Sequence, residues 1–385
     1  MNNEVIYSEG RHMIVMDMRV SNFFALKNFH LNMSYPKKIV GSYVKDEYLK
    51  DRPNFRYKKV NILMGANATG KTSIGRMLML IFNFMDKKQY DVLTKVIMDK
   101  NAEASFTIDF VGDQFVLYRV HTVIKPPEER KYLPSDIHVR VTSVNINARD
   151  SYETCVQRME EISEAGEDNY LEELGKVDGL SWIFQYPFDY REGNQQVYVS
   201  RNSRKYTHVL ESILKTLDSS ILKVEMSEEV ENTYIIRYSH QSVIIQDGKV
   251  GGSNVLSSGT KAGVELAGFL TAIMEDAYGF YYCDEKFSYI HSDVEKAILS
   301  LMIQQLNDND QLFFTTHNMD ILDLPLPKHS FIFLKKDVHD MEQPIKSISA
   351  SAFLKRNTDS LKNAMENDLF AVAPSIDLLY ELVEE

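Results

Sequence analysis

The sequence lacks the long apolar segments and the cysteines that point to a membrane or secreted protein. Its longest nearly pure apolar runs, Met77–Phe82 and Leu266–Met274, are far shorter than the roughly 18 to 20 residues that cross a bilayer. Only Cys155 and Cys283 occur, too few for a disulfide framework and too far apart for a C-x-x-C metal pair. No basic stretch followed by an apolar block marks the start as a secretory signal. We therefore expect a cytoplasmic protein with neither a membrane span nor a structural zinc site.

The chain also lacks the excess of basic residues that is typical of proteins coating nucleic acid. Its 385 residues include 43 Lys and Arg against 55 Asp and Glu, which gives a net charge of -12. A local basic group is still present, and it consists of Arg201, Arg204 and Lys205 beside Tyr206. This group could contact nucleic-acid phosphates or an acidic partner. A solvated helix face is the alternative, and it is the more common role of such a group.

What the first part of the chain has instead is a strand, a glycine loop and a helix. A short apolar run, Lys58–Met64, predicts a buried strand, and apolar residues at helical spacing predict a helix from about Lys71 to Met85. Two further runs, Ser105–Phe110 and Gln114–Tyr118, meet at a Gly-Asp turn and predict an antiparallel hairpin.

The rest of the chain predicts a helical stretch followed by more strands. Residues from about 147 to 216 are mostly charged and helical in character, which predicts an inserted helical subdomain. The segment Leu222–Val250 predicts a second β region, and the apolar runs Gly279–Cys283 and Gln311–Thr315 suit buried parallel strands. The sequence contains no internal repeat and no low-complexity segment.

The glycine loop contains a complete G-x-x-x-x-G-K-[ST] motif, the phosphate-binding P-loop. The residues that we expect around a bound nucleotide are Gly65, Ala66, Asn67, Ala68, Thr69, Gly70, Lys71, Thr72 and Ser73. The glycines let backbone N–H groups point at phosphate oxygens, and the start of the helix adds partial positive charge. Lys71 would supply a charge to the outer phosphates, and the Thr72 hydroxyl could ligate Mg²⁺.

An acidic pair, Asp284-Glu285, directly follows the buried run Gly279–Cys283. A P-loop needs a carboxylate at the end of a neighbouring strand to hold the metal and its water shell, and Asp284 is placed for this role. Glu285 would then polarise the attacking water as general base. The alternative is an acidic turn after a strand, and the P-loop makes that alternative less favourable.

Two further segments show a family resemblance. Leu256–Gly263 resembles the signature motif of the ABC-type ATPases, and Thr315-Thr-His317-Asn318 resembles their switch histidine. By themselves these segments could be a capped helix and an ordinary histidine after a strand. However, four motifs occur along the chain in the order of the soluble RecF, SMC and OLD-like branch. These are the P-loop (Walker A), the signature, the acidic pair Asp284-Glu285 (Walker B) and the histidine. Ser258 and Thr260 depart from the transporter form of the signature, and the segment after Glu285 resembles the family's D-loop only loosely.

The resemblance implies the fold class and the domain division. It implies an α/β P-loop NTPase, an ABC-type ATPase head with a mixed central sheet, an antiparallel β subdomain and a helical insertion. The N-terminal half of the head would span 1–126, a mainly helical insertion 127–215, the C-terminal half 216–346 and a tail 347–385. For the Q-loop glutamine of the family, Gln185 and Gln114 are both candidates.

The resemblance also implies how the site is completed. Ser257, Ser258 and Gly259 would bind the ATP of another subunit, because the family buries ATP between two heads joined head to tail. The serines suit a helix N-cap and the glycine permits close backbone approach, so the helix end is a second phosphate site. His317 would sense or stabilise the γ-phosphate. ATP and Mg²⁺ are the implied cofactors, and a homodimer or higher homo-oligomer is the implied assembly.

The tail narrows the resemblance to one branch. The segment from Phe353 to Pro374 resembles the ending of bacterial OLD-related ATPases of the AAA/ABC kind, which occur in phage-defence and abortive-infection systems. No long heptad stretch predicts the coiled coil of SMC proteins, and the 68 residues after His317 are too few for the Toprim nuclease of OLD proteins. Any toxic activity is therefore expected in a separate effector protein.

The sequence as a whole predicts a slow regulatory or sensing ATPase in a bacterial defence module. A RecF-like DNA-repair ATPase that binds duplex DNA is the main alternative, although the net charge of -12 argues modestly against it. The ATPase subunit of a transporter is a third alternative, and the form of the signature and the OLD-like tail argue against it.

Overall fold

A computed structural model describes residues 13–35, 42–162, 169–186, 198, 200, 202–247, 249–251, 256–354, 360–367 and 370. The strands are β1 (Ile14–Ser21), β2 (Phe29–Asn32), β3 (Tyr48–Leu49), β4 (Arg52–Arg56), β5 (Val60–Met64), β6 (Ala104–Val111), β7 (Val116–Ile124), β8 (Ile137–Asn145), β9 (Trp182–Gln185), β10 (Lys223–Met226), β11 (Thr233–Arg237), β12 (Ser242–Gln246), β13 (Lys249–Val250), β14 (Phe280–Asp284), β15 (Gln311–Thr316), β16 (Phe331–Lys336) and β17 (Ile345–Ser349). The helices are α1 (Lys71–Lys87), α2 (Asp91–Thr94), α3 (Tyr152–Glu160), α4 (Tyr170–Leu174), α5 (Ser203–Leu217), α6 (Ser258–Met274), α7 (Ser292–Gln305), α8 (Ala350–Phe353) and α9 (Leu361–Glu366).

A six-stranded mixed sheet with the order β17-β16-β5-β15-β14-β9 forms the centre of the fold. Strands β5, β9, β14, β15 and β16 of this sheet run parallel to one another, and only β17 is antiparallel to its neighbour. Strands β5, β14 and β15 are buried along their whole length, as expected for parallel strands covered on both faces. The predicted parallel strands at Gly279–Cys283 and Gln311–Thr315 are thus confirmed.

The two faces of this sheet are covered by different layers. One face packs on α1 and on a five-stranded antiparallel sheet with the order β2-β1-β6-β7-β8. The other face packs on α5, α6 and α7 and on a four-stranded antiparallel sheet, β10 to β13. The predicted hairpin is β6 paired with β7, and the predicted second β region is the four-stranded sheet. Within the described residues, every helix is too short or too polar for a transmembrane span.

A buried glutamine joins the antiparallel sheet to the central sheet. Gln311 Oε1 accepts a hydrogen bond from the Val15 amide at 2.9 Å, and its Nε2 donates to the Val15 carbonyl at 3.0 Å and the Lys58 carbonyl at 3.2 Å. The register of β1 shifts between Val15 and Asp17, where the strand bulges. The side-chain amide therefore replaces a backbone partner and fixes the two sheets relative to each other.

The segment 127–215, which we expected to be a mainly helical insertion, contains strands as well as helices. It contains α3, α4 and most of α5, while β8 completes the antiparallel sheet and β9 forms the edge of the central sheet. In β8 the side chains of Ile137, Val139 and Val141 are buried while those between them are more exposed, which is the period of a half-buried strand. This alternating pattern is present in the sequence, but the high charge of the surrounding segment obscures it.

A glycine allows helix α1 to pack closely against β14, the strand that carries the acidic pair. A Cβ on Gly75 would lie 2.5 Å from Tyr282 Cε1, so only glycine permits this approach without a shift. The Tyr282 hydroxyl donates to the Lys71 carbonyl at 3.2 Å. This contact sets the distance between the start of α1 and the end of β14.

Replacing Gly75 by alanine should lower the free energy of unfolding by about 1 to 3 kcal/mol, because overpacking against Tyr282 outweighs the gain in helix propensity. Gly268→Ala is the matched control, since its added Cβ would meet only the Tyr198 carbonyl at 3.9 Å. That variant should be neutral or stabilised by up to about 1 kcal/mol. Urea denaturation of both variants gives the comparison, and equal stabilities would contradict the proposed overlap.

Candidate nucleotide-binding site

The carboxyl ends of four neighbouring parallel strands bring the predicted site residues to one edge of the central sheet. In the register of these strands, Thr315 on β15 lies opposite both Leu63 on β5 and Asp284 on β14, and Gln185 on β9 lies opposite Cys283. Ligands of open α/β sheets bind at this edge. The structure therefore places the P-loop after β5, the acidic pair at the end of β14 and His317 after β15 side by side.

The P-loop is shaped by its two glycines and by internal hydrogen bonds. Gly70 has a φ of 98°, a left-handed conformation that favours glycine, and a Cβ on Gly65 would lie 2.7 Å from the Leu334 carbonyl oxygen. The Thr69 hydroxyl donates to the Ala66 carbonyl at 2.8 Å. Asn67 and Ala68, at the tip of the loop, are exposed.

The amino end of α1 is free to bind an anion. Gly70 is its N-cap residue, and no side chain among the described residues caps it. The first-turn N–H groups, which include those of Lys71, Thr72 and Ser73, lie at the positive end of the helix dipole. This arrangement fits the phosphate chain of a nucleotide.

Lys71 lies almost completely buried beside this helix end, with 3% of its side chain exposed. Its ammonium donates to the carbonyls of Gly65 at 2.8 Å and Ala66 at 3.1 Å, and it lies 3.3 Å from Glu285 Oε1. Burial lowers the pKa of Lys71, while the carboxylates of Glu285 and Asp284 act in the opposite direction. The ammonium is thus positioned between the P-loop and the acidic pair.

His317 connects Lys71 to Glu285. Its Nδ1 lies 3.4 Å from the Lys71 ammonium, and its Nε2 lies 2.8 Å from Glu285 Oε1. Burial pushes the pKa of Glu285 upward, but the hydrogen bond from His317 and the charge of Lys71 outweigh it, so this pKa lies below its ordinary value. Glu285 is therefore a carboxylate at neutral pH, as a proton acceptor must be.

Asp284 fits the role of a cation ligand through an oxygen that has no protein partner. Its carboxyl is fully buried; Oδ1 accepts from the Thr315 hydroxyl at 2.6 Å, Thr72 also hydrogen-bonds this carboxyl, and Oδ2 has no hydrogen-bond partner. Burial raises the pKa of Asp284 to about 6. A buried oxygen atom without a partner, next to the Thr72 hydroxyl, is the donor set that Mg²⁺ uses. The residues present thus fit a magnesium nucleotide.

Thr315 fixes both members of the acidic pair, and sequence reasoning assigned it no role. Besides its bond to Asp284, its Oγ1 accepts from the Glu285 amide at 2.9 Å. Glu285 has a φ of 40°, which is unfavourable for a residue with a Cβ and is held in place by this hydrogen bond. A threonine at a strand end gives no sequence signal that distinguishes this role.

A second residue that sequence reasoning missed is Glu295 on α7. Its buried carboxylate accepts hydrogen bonds from the Thr316 hydroxyl at 2.6 Å and from the Asn318 side-chain Nδ2 at 2.8 Å, and these two residues flank His317. Burial raises the pKa of Glu295, and the two hydrogen bonds oppose this. Glu295 therefore fixes the side chains on both sides of the histidine.

The signature segment lies at the start of α6, and no described hydrogen bond joins it to Lys71, Glu285 or His317 within one chain. Ser257 is the N-cap residue, and its Oγ accepts from the Thr260 amide at 3.1 Å. Ser257 and Ser258 are exposed, and Gly259 is partly exposed. This segment is therefore a separate helix end that faces outward.

The two candidate Q-loop glutamines occupy different environments. Gln185 ends β9 beside the strand of the acidic pair, and its buried Oε1 has no hydrogen-bond partner. Gln114 lies in the turn of the β6–β7 hairpin, on the antiparallel sheet. The structure thus brings only Gln185 to the edge of the sheet that holds the other site residues.

Of the predicted basic group, Arg204 is exposed, while Lys205 is only partly exposed and Tyr206 is buried. Tyr206 is buried and packs against Tyr234 with ring centroids 4.7 Å apart, and the Lys205 ammonium donates to the Met274 carbonyl at the end of α6. Arg201 lies outside the described residues. Tyr206 consequently has no free face on which a nucleic-acid base could stack.

Comparison with solved structures identifies the fold. An Smc head bound to the C-winged helix domain of ScpA covers 91% of this chain and 99% of its own, with a TM-score of 0.50 and 13% identity. The Smc head with an extended coiled coil, bound to the C-terminal domain of ScpA from Pyrococcus furiosus, covers 89% and 98%, with a TM-score of 0.50 and 12% identity. The recombination mediator RecF overlaps more loosely, covering 88% and 99% with a TM-score of 0.42 and 12% identity.

No protein-family model and no curated protein sequence matches the chain. The structural comparisons nevertheless show that the chain has the fold of an Smc head domain. The predicted α/β fold class with its mixed central sheet is confirmed.

Replacing Thr315 by valine should lower the free energy of unfolding by about 2 kcal/mol. Valine has the same shape, but it removes one of the hydrogen bonds to the Asp284 carboxyl and leaves the Glu285 amide without its described partner. Thr142→Val is the control, because Thr142 lies in a strand and its hydroxyl makes no described hydrogen bond. Chemical denaturation measures both, and a loss no larger than that of the control would contradict the role given to Thr315.

Proposed function

We propose that this protein is an ATP-binding and ATP-hydrolysing regulatory ATPase whose heads assemble in pairs around ATP. One observation carries the proposal: Lys71, His317 and Glu285 form a continuous chain of contacts beside the Thr72 and Asp284 pair. The five residues come from three separate segments, and each stands where a magnesium nucleotide would need it. The domain division of the sequence analysis, with the P-loop in the N-terminal half of the head and the signature, the acidic pair and His317 in the C-terminal half, is part of this proposal.

The roles of the residues follow from their positions. The amino end of α1 and the Lys71 ammonium would bind the phosphates, and Thr72 and Asp284 would hold Mg²⁺. When bound, Mg²⁺ neutralises charge that develops on the phosphates. Glu285 would accept a proton from the attacking water, and Thr315 keeps its carboxylate aimed through the backbone. His317 would sense or stabilise the γ-phosphate while Glu285 orients its ring.

The second copy completes the site in this proposal. Ser257, Ser258 and Gly259 form an exposed helix end with no described hydrogen bond to Lys71, Glu285 or His317 of its own chain, and a helix end of this kind binds phosphate. A second head joined head to tail would place its signature segment over the bound triphosphate. ATP would then act as the link between two heads, and hydrolysis would release them.

We further propose that the ATPase controls a separate effector in a bacterial anti-phage defence module. The resemblance of the segment from Phe353 to Pro374 to OLD-related ATPases supports this role, although part of that segment lies outside the described residues. The Smc heads that share this fold were solved bound to a domain of another protein, ScpA. By analogy, this head would transmit its nucleotide state to a bound partner protein.

Replacing Glu285 by glutamine should lower the rate of ATP hydrolysis at least about a hundredfold, because the proton acceptor is lost. ATP binding should persist, so the variant should accumulate as a dimer with Mg²⁺ and ATP. Single-turnover hydrolysis and sedimentation with and without ATP test both statements. Glu153→Gln, on the exposed face of α3, is the matched control that should keep full activity.

A variant that hydrolyses ATP like the parent protein, or that stays monomeric at saturating Mg²⁺ and ATP, would contradict the proposal. The defence role is tested in bacteria that express the chain together with its neighbouring genes. Those cells should form fewer plaques after phage infection, and Glu285→Gln should abolish that protection.

A second candidate function, nucleic-acid binding of the RecF kind, is favoured by one surface. His30, Arg19, Thr107, His121 and Arg140 are successive cross-strand partners on the antiparallel sheet and form one row. Arg19 is 66% exposed on its side chain, but it pairs with Asp17 at 3.2 Å, which reduces the positive charge of the row. The row could contact phosphates of a duplex.

If this second function is correct, the protein should bind duplex DNA only when ATP is present. Its affinity for DNA should fall steeply as the salt concentration rises. Arg140→Ala should then weaken DNA binding several-fold without changing ATP hydrolysis. Fluorescence anisotropy with labelled duplex at two salt concentrations makes the measurement. Absence of ATP-dependent binding at low salt would exclude this second function.

A further inference from the structure

A buried lysine next to the proposed base joins three segments of the head. Lys286 directly follows Glu285, and only 1% of its side chain is exposed. Its ammonium donates to the Tyr186 carbonyl at 2.7 Å and forms an ion pair with Glu265 on α6. Tyr186 follows Gln185 at the end of β9, so the loop after β14 is tied both to that strand end and to the signature helix.

The energetics of burial make this contact a constraint. An ammonium removed from water is strongly unfavourable unless charged and polar partners replace its hydration. Lys286 therefore stays within reach of Glu265 and Tyr186 whenever the head is folded. The Glu265 side chain is 24% exposed, so it can be rehydrated more readily than the lysine.

A second contact joins the same two elements closer to the signature. A Cβ on Gly259 would lie 3.0 Å from the Tyr289 carbonyl oxygen, so the first turn of α6 packs directly on the backbone of the loop after Glu285. Helix α6 thus touches this loop at its amino end and again at Glu265. A displacement of α6 along or across its axis moves the backbone next to Glu285.

We propose that Lys286 is a positioning residue that couples the signature helix to the base of the same head; this inference rests on the proposed function. The amino end of α6 would contact ATP held by the second copy. The Lys286 to Glu265 ion pair then transmits the position of α6 to Glu285, so that each base is correctly placed only when its own signature is engaged. Hydrolysis at the two sites of a dimer becomes coupled through this contact.

The test is a double-mutant cycle of Lys286→Met, Glu265→Gln and the two combined. Lys286→Met should lower the turnover number of the ATP-bound dimer about tenfold and leave the ATP dissociation constant within about twofold. Glu265→Gln should lower turnover as well, and the combined variant should lose no more than Lys286→Met alone. Turnover is measured as a function of protein concentration, and ATP affinity with a fluorescent analogue.

Lys215→Met is the matched control, because Lys215 also pairs with a glutamate, Glu211, but on the surface of α5. It should keep the parent turnover. If Lys286→Met fails to fold, Glu265→Gln carries the test, since it leaves the ammonium bonded to the Tyr186 carbonyl.

Unchanged turnover, additive losses, or a loss of ATP affinity equal to the loss of turnover would each overturn the inference. A parent protein without ATPase activity, or a Glu285→Gln variant that never dimerises, would instead overturn the proposed function. The two failures are therefore distinguishable.

Discussion

The parallel pairing of β5, β15 and β14 is the constraint on which the site depends. Because β15 lies between the P-loop strand and the strand of the acidic pair, the residue after its end, His317, falls between Lys71 and Glu285. The register also places the Thr315 hydroxyl against both Asp284 and the Glu285 amide. Since side chains alternate between the faces of a strand, a shift of one residue in β15 would remove both contacts.

The burial that this sheet provides strengthens the interactions of the charged groups. Lys71 is 3% exposed and Glu285 22% exposed, so attraction between them is less screened than between surface charges. The carbonyls of Gly65 and Ala66 offset the loss of hydration of the ammonium. Glu285 keeps a left-handed backbone because Thr315 holds it, and its carboxylate consequently points at His317 before any ligand binds.

The sequence predicted the parts of the site that have local patterns. The loop from Gly65 to Thr72 and the acidic pair after β14 follow from motif and strand context, and the structure brings them to one edge. Thr315 and Glu295 have no such pattern, because a strand-end threonine and a helix glutamate are ordinary residues until the distant partner is known. Glu295 acts on Thr316 from 21 positions away, and only the packing of α7 brings them together.

The fully buried strands of the central sheet could also be predicted from the sequence, and the short edge strand β9 could not. The central strands at Val60–Met64, Phe280–Asp284 and Gln311–Thr316 are mostly apolar, and their burial on both faces explains why they are easy to find. Strand β9 has only four residues, Trp182–Gln185, and its assignment depends on pairing with β14 rather than on its own sequence. Short strands of this kind are fixed by tertiary contacts, which explains why the segment 127–215 was expected to be mainly helical.

The position of α6 explains why one head would not suffice in the proposed function. The Ser257 side chain caps the Thr260 amide, and Ser258 and Gly259, whose first-turn N–H groups have no partner within the helix, are exposed and partly exposed. Further along the same helix, Glu265 forms an ion pair with Lys286, next to the base. A helix that presents its amino end to a second copy and holds the loop of the proposed base through Glu265 can report dimer formation at the reacting centre. In this arrangement, the placement of Glu285 depends on contact between two heads, because both contacts belong to one helix.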